Sequence, residues 1–193
     1  VPGAVSDVVR SRSARLPQET RDLLDLACVI GREFRIDVLA DVRGSSSAAV
    51  IDALAPAIAA GLLEESEQPS TLRFAHGIVA DALLANVGGA QQARVHAAAA
   101  HSLVARGAGV VEEHVALIAH HAYAGIAAGA ASLAYEWTAR CARLATARLA
   151  DEDAAVLWGR AAEAASVADP VDCRPRLDAL VEQGRVYLRL DDV

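Results

Sequence analysis

The chain has 193 residues, enough for one or two domains, and carries 18 basic and 25 acidic residues for a net charge of −7. Every basic residue is arginine. Cations that neutralise phosphates supply most non-specific nucleic-acid affinity, so this balance excludes a broadly basic surface and leaves only local patches.

Hydrophobic residues make up 54% of the chain and aromatics only 4%. Alanine supplies nearly a quarter. It is the best helix former and buries little area per residue. Strict alternation of Val and Ile is nearly absent, so the expectation is a mainly α protein with small-residue helix interfaces. Cys28, Cys141 and Cys173 are far apart, without CxxC spacing. That speaks against a disulfide framework or zinc site and fits a reducing cytosol. There is no Met, and the chain reads as a piece of a longer protein.

In chain order, Val5 to Arg15 has helical spacing and is broken by Pro17. A helix over about Gln18–Val29 places Leu23, Leu24, Leu26, Ala27 and Ile30 on one apolar face, with Gly31 as its C-cap. Arg32-Glu33-Phe34 reads as a connector. A second helix follows over Arg35–Val42, and Ser45–Ser47 cap a third that runs to about Ala60. Pro56 predicts a kink or an early break in that helix.

Ala60–Glu65, the polar turn Ser66–Ser70 and Thr71–Phe74 read as strand, turn, strand, and Ile78–Leu84 as another helix. Helices closed by such a hairpin are the pattern of a winged helix, placed here at residues 1–87 with a two-stranded wing. Gly88-Gly89 marks a break. Beyond it, helices are expected over Gln91–Arg106, Glu112–Ala124, Ala130–Ala147, Asp151–Val167 and Arg176–Leu190. The segment Ala142–Glu152 resembles Gln183–Asp192 at an offset of about 41 residues, near the period of helical-hairpin repeats. Residues 88–193 are therefore expected to be antiparallel helical hairpins. The most apolar window, Val115–Tyr135, is mostly Ala and Gly and contains His120-His121, which disfavours a membrane span.

Several motifs in this order resemble one family. Leu16-Pro17, Arg21-Asp22-Leu23-Leu24 and Ala27–Phe34 resemble an opening "LP…R.LL..AAVIGREF". Ala60–Glu64 resembles "AGLL", Arg73–His76 "RFxH", Arg94–His96 "R.LH" and Ala119–His121 "LAxHH". Together they resemble the region after the ATPase core of bacterial STAND-type regulators, the large ATP-binding transcriptional regulators of the LuxR family. The resemblance implies a winged helix followed by tetratricopeptide-like repeats. It also implies an ATPase core upstream; the chain itself has no GxxxxGK[ST] phosphate loop and no lysine to serve one, so that core is not expected within it.

By that resemblance His76 is the one candidate binding residue, contacting the phosphate of ADP in the intact protein. An imidazole N–H can donate to a phosphate oxygen and so sense nucleotide state without catalysis. The chain departs from the family pattern just beyond it. Ala80-Asp81 stands where Arg-Glu is usual, Leu84 replaces a common Tyr, and Gly88–Gln92 replaces a basic segment.

Other residues point to less. His96, His101, His114, His120 and His121 lack the Glu-x-x-His spacing of metal sites in bundles and read as packing and capping residues, with no metal expected. The third helix contains no Arg, Lys, Asn or Gln but carries Asp52, and the wing Glu64–Pro69 is acidic, so direct DNA contact is not expected. Arg140, Arg143 and Arg148 beside Asp151, Glu152 and Asp153 read as a solvated helix surface, with a partner groove as the alternative.

The expected function is non-catalytic. A winged-helix lid would close on the upstream ATPase core of the same chain, and the repeats would bind a protein or small-molecule effector. ATP or ADP is implied only for the parent, and the cytoplasm is the expected location. The alternatives are a DNA-binding winged-helix regulator with a helical dimerisation region, and a pure helical-repeat scaffold without strands.

Overall fold

The computed structural model describes residues 13, 15–107 and 112–191, so most of the helix expected over Val5–Arg15 lies outside the described residues. The protein is mainly helical with one small antiparallel sheet. The chain divides into two compact units, residues 1–102 and 103–193.

In the first unit, α1 spans Gln18–Ile30 and follows Pro17, whose carbonyl accepts from the Arg21 N–H at 3.1 Å. Its apolar spacing buries Leu23, Leu24, Ala27 and Cys28. It stops at Gly31, with φ 156° and ψ 175°, a conformation essentially restricted to glycine. A Cβ there would stand 3.2 Å from the Glu33 carbonyl oxygen.

The next three residues form a strand, β1 (Glu33–Arg35), where the sequence predicts a connector. The element is only three residues long, and long-range pairing alone reveals it. Helix α2 (Ile36–Arg43) ends at Gly44 in the left-handed region, φ 74°. Helix α3 (Ser47–Ala59) is N-capped as expected, the Ser46 hydroxyl accepting from the Ala49 N–H at 3.2 Å. It runs through Pro56 without a break. Proline leaves the carbonyl of Asp52 without a helical donor, and Asp52 is exposed, so water can take that place.

Strands β2 (Leu63–Glu65) and β3 (Thr71–Phe74) follow, and the sheet order is β1-β3-β2. The sheet thus has three strands, not two, because Glu33–Arg35 pairs with Arg73–Thr71 on the far side of β3. On its buried face lie Phe34, Leu63, Leu72 and Phe74, the two rings tilted at 54° with centroids 5.8 Å apart. Each such side chain contributes roughly 1.5–3 kcal/mol by leaving water. On the solvent face Arg73 lies between Glu33 and Glu64 in register and pairs with Glu64 at 3.0 Å. Thr20 joins α1 to α3 by donating to the Ala53 carbonyl at 2.8 Å.

Helix α4 covers Gly77–Leu84 and α5 covers Gly89–Ala105. The first unit extends into α5, beyond the boundary expected at residue 87. Val95 enters its core, Gln92 donates to the Val87 carbonyl at 2.8 Å, and the Ser102 hydroxyl donates to Asp41 at 2.6 Å.

The second unit contains α6 (Glu112–Ala124), a short 3-10 turn at Ile126–Ala128, α7 (Ala131–Ala147), α8 (Asp151–Ala168) and α9 (Arg174–Asp191). Each helix packs on the next in sequence. The turn and Gly129, φ 95°, interrupt the apolar window at Val115–Tyr135. Among the described residues no helix is long and apolar enough to cross a membrane. The seams between α7, α8 and α9 are built from Ala139, Ala142, Ala154, Ala161 and Ala179, with Trp158 as the large filler. Asp169 ends α8, its carboxylate accepting from the N–H groups of Val171 and Asp172, which holds its pKa below the usual range.

Candidate functional site

His76 sits where β3 hands over to α4. Phe74 N–H donates to the Arg32 carbonyl at 2.9 Å and Ala75 N–H to the Leu62 carbonyl at 3.0 Å, which fixes the strand end. His76 then takes the N-cap position of α4, with φ −139° and ψ 134°, and its carbonyl accepts from Val79 N–H at 2.9 Å. Its side chain makes no capping hydrogen bond and is exposed. The imidazole therefore has no part in closing the helix end.

Arg32 approaches the next residue, Gly77. Its guanidinium crosses Gly77 so closely that a Cβ there would meet Cζ and Nη1 at 3.1 Å. The same guanidinium holds both carboxylate oxygens of Asp81, at 3.1 and 3.2 Å. An exposed imidazole, a guanidinium and the first N–H groups of a helix have the chemistry to receive an oxyanion. Asp81 takes up part of the positive charge, and at 69% and 59% side-chain exposure the pair is solvent-screened and exchangeable.

Helix α3 presents an exposed surface without positive charge. Its exposed positions include Ser47, Ala48, Ile51, Asp52, Ala55 and Ile58, and none is a cation. Helix α3 and the β2–β3 turn border a groove of about 330 Å³.

In the second unit, the arginine and acidic cluster separates into different contacts. Arg140 lies over the Trp137 ring at 5.1 Å and Arg143 over Trp158 at 6.0 Å. Asp151 pairs instead with Arg189 on α9, Nη2 to Oδ1 at 2.6 Å, which holds the Asp151 carboxyl below its ordinary range. A second groove of about 470 Å³ is lined by Tyr135, Arg143, Trp158, Asp178 and Glu182. There Trp158 Nε1 donates to the Thr146 hydroxyl at 3.3 Å. His121 is buried and meets His120 edge-on, centroids 5.3 Å apart, and His114 is half-buried. Burial pushes the Cys28 thiol up to about 12, so it stays protonated at neutral pH.

The Arg32–Asp81 pair spans 49 positions and carries no spacing signal. The same holds for Asp151 and Arg189, 38 apart. Comparison with protein families, with curated proteins and with solved structures finds no match.

Proposed function

We propose that this chain is a non-catalytic regulatory segment of a multidomain ATP-binding transcriptional regulator. The first unit acts as a winged-helix lid that reports nucleotide state, and the second as a tetratricopeptide-like region that binds an effector. The observation that carries the reading is the exposed imidazole of His76, which caps nothing, at the start of α4, where the Arg32 guanidinium crosses the next residue, Gly77.

Three further features support it. The succession helix, strand, helix, helix, strand, strand with sheet order β1-β3-β2 supports the winged-helix reading. The same strands speak against a pure helical-repeat scaffold, and the cation-free face of α3 against a DNA reader. In the second unit, α9 buries Ala179 and Val186 on one side and exposes Leu177, Val181 and Leu188 on the other. Such two-sided apolarity suits a helix within a stacked array.

The lid works only if nucleotide distinguishes its closed and open positions, since a ligand shifts an equilibrium by its difference in affinity for the two states. The test is ADP binding by the parent protein with its upstream core, wild type against His76→Ala. A hydrogen bond to a charged phosphate contributes about 1.5–3 kcal/mol, so Kd should rise about 10-fold or more. The isolated segment should keep its thermal midpoint, because the imidazole caps nothing. Unchanged ADP affinity and unchanged activity in the parent would refute the sensing role.

A further inference from the structure

The groove between α3 and the β2–β3 turn has a floor and a rim of opposite character. Ile51 and Ile58 stand seven positions apart, on one face of α3, and are 47% and 37% exposed. Leu72 and Ile36 complete the apolar floor. Glu65 and Glu67 supply the rim, both exposed, and among the described residues no basic one lines the groove. The nearest arginines in sequence are engaged elsewhere, Arg35 with Asp37 at 2.6 Å and Arg73 with Glu64 at 3.0 Å. Asp52, beside Ile51 on the exposed surface of α3, adds to the negative field.

We infer that this groove docks a basic polypeptide segment carrying an apolar anchor. An apolar floor open to water favours a leucine- or isoleucine-sized side chain. Two carboxylates without cationic partners in the lining favour arginine or lysine flanking that anchor, and steer its approach. A phosphate backbone meets the reverse field and is repelled. A second copy of the chain is a poor occupant, since each copy carries a net charge of −7. The site is independent of nucleotide and of His76, so it stands or falls apart from the lid reading.

The test is fluorescence anisotropy of a short fluorescein-labelled peptide of alternating leucine and arginine, titrated with the whole chain. Three competitors are compared: a leucine–glutamate peptide, an arginine–serine peptide and duplex DNA. The protein variants are Glu65→Lys with Glu67→Lys, Ile51→Ser, and a control of equal charge change in the second unit, Glu152→Lys with Asp153→Lys. All five positions are exposed, so folding should persist, which circular dichroism checks. The leucine–arginine peptide should bind best. Its affinity should fall about tenfold with the groove charge reversal and about as much with Ile51→Ser, but change little in the control. Equal losses in groove and control variants would mean only diffuse attraction to an acidic protein, and would overturn the site. So would equal binding of the arginine–serine peptide, tighter binding of DNA, or a concentration-dependent dimer dissolved by Ile51→Ser.

Discussion

Replacing Gly31 with alanine is expected to destabilise the first unit by about 2 kcal/mol, lowering its thermal midpoint by on the order of 10 °C. Two effects add. At φ 156° and ψ 175° the backbone lies where an L-residue is strained, and the new Cβ would stand 3.2 Å from the Glu33 carbonyl oxygen. That neighbour is backbone and belongs to β1, so relief requires moving the strand. The strand holds Phe34 in the core, and just before it the Arg32 carbonyl accepts from Phe74 N–H at 2.9 Å. Shifting it also moves the guanidinium that crosses Gly77 beside His76. Gly44→Ala separates the contributions, because φ is 74° but nothing stands within 4 Å of the new atom. It should cost about 1 kcal/mol. Gly88→Ala, in open space and without a left-handed φ, should be neutral or slightly stabilising. Thermal melts of the three variants followed by circular dichroism decide the matter. A Gly31→Ala midpoint no lower than that of Gly44→Ala would show that β1 yields freely.

The second large effect is expected at Ala161→Leu, at about 3 kcal/mol. Ala161 is fully buried on α8, which packs against both α7 and α9. The separation of these helices is set by methyl groups such as those of Ala139, Ala142 and Ala154. At the packing density of protein interiors, three added carbons force a helix to shift or the side chain to leave its preferred rotamers. Val156→Leu, at a position 54% exposed on the same helix, adds its one carbon towards solvent and should stay within about 0.5 kcal/mol of wild type. Urea midpoints at constant slope make the comparison. A wild-type midpoint for Ala161→Leu would mean that the seam is loosely packed.

The helices were legible because their signals are local. Alanine runs, the Ser46 cap, Gly31, Gly44 and the Asp169-Pro170 stop bracket them to within about two residues. Strand β1 was not legible. Glu33-Phe34-Arg35 is too short to display alternation, and its partner lies some forty positions away in Arg73–Thr71. Pro56 misled for a related reason: Asp52, whose carbonyl it leaves without a helical donor, is exposed and can be hydrated, and exposure is a tertiary property. At the candidate site, the sequence supplied His76 as a motif residue but neither its exposure nor its neighbour. Arg32 reaches Gly77 because β1 and β3 pair, so the strand the sequence concealed is also what places the guanidinium. The acid-rimmed groove was hidden likewise, since Ile51 and Ile58 look like core positions of a helix until the β2–β3 turn is seen beside them.

The alanine seams of the second unit have a calorimetric consequence. Heat-capacity change on unfolding follows the apolar area newly exposed to water, at about 12–15 cal/mol/K per residue for an average globular protein. A methyl group hides far less area than the leucines of the first unit, Leu23, Leu24, Leu39 and Leu54. Scanning calorimetry of the second unit should therefore give a value per residue below that range. Its stability curve would be correspondingly flat, with little lost on cooling. Its cohesion would then vary less with temperature than that of the leucine-cored unit before it.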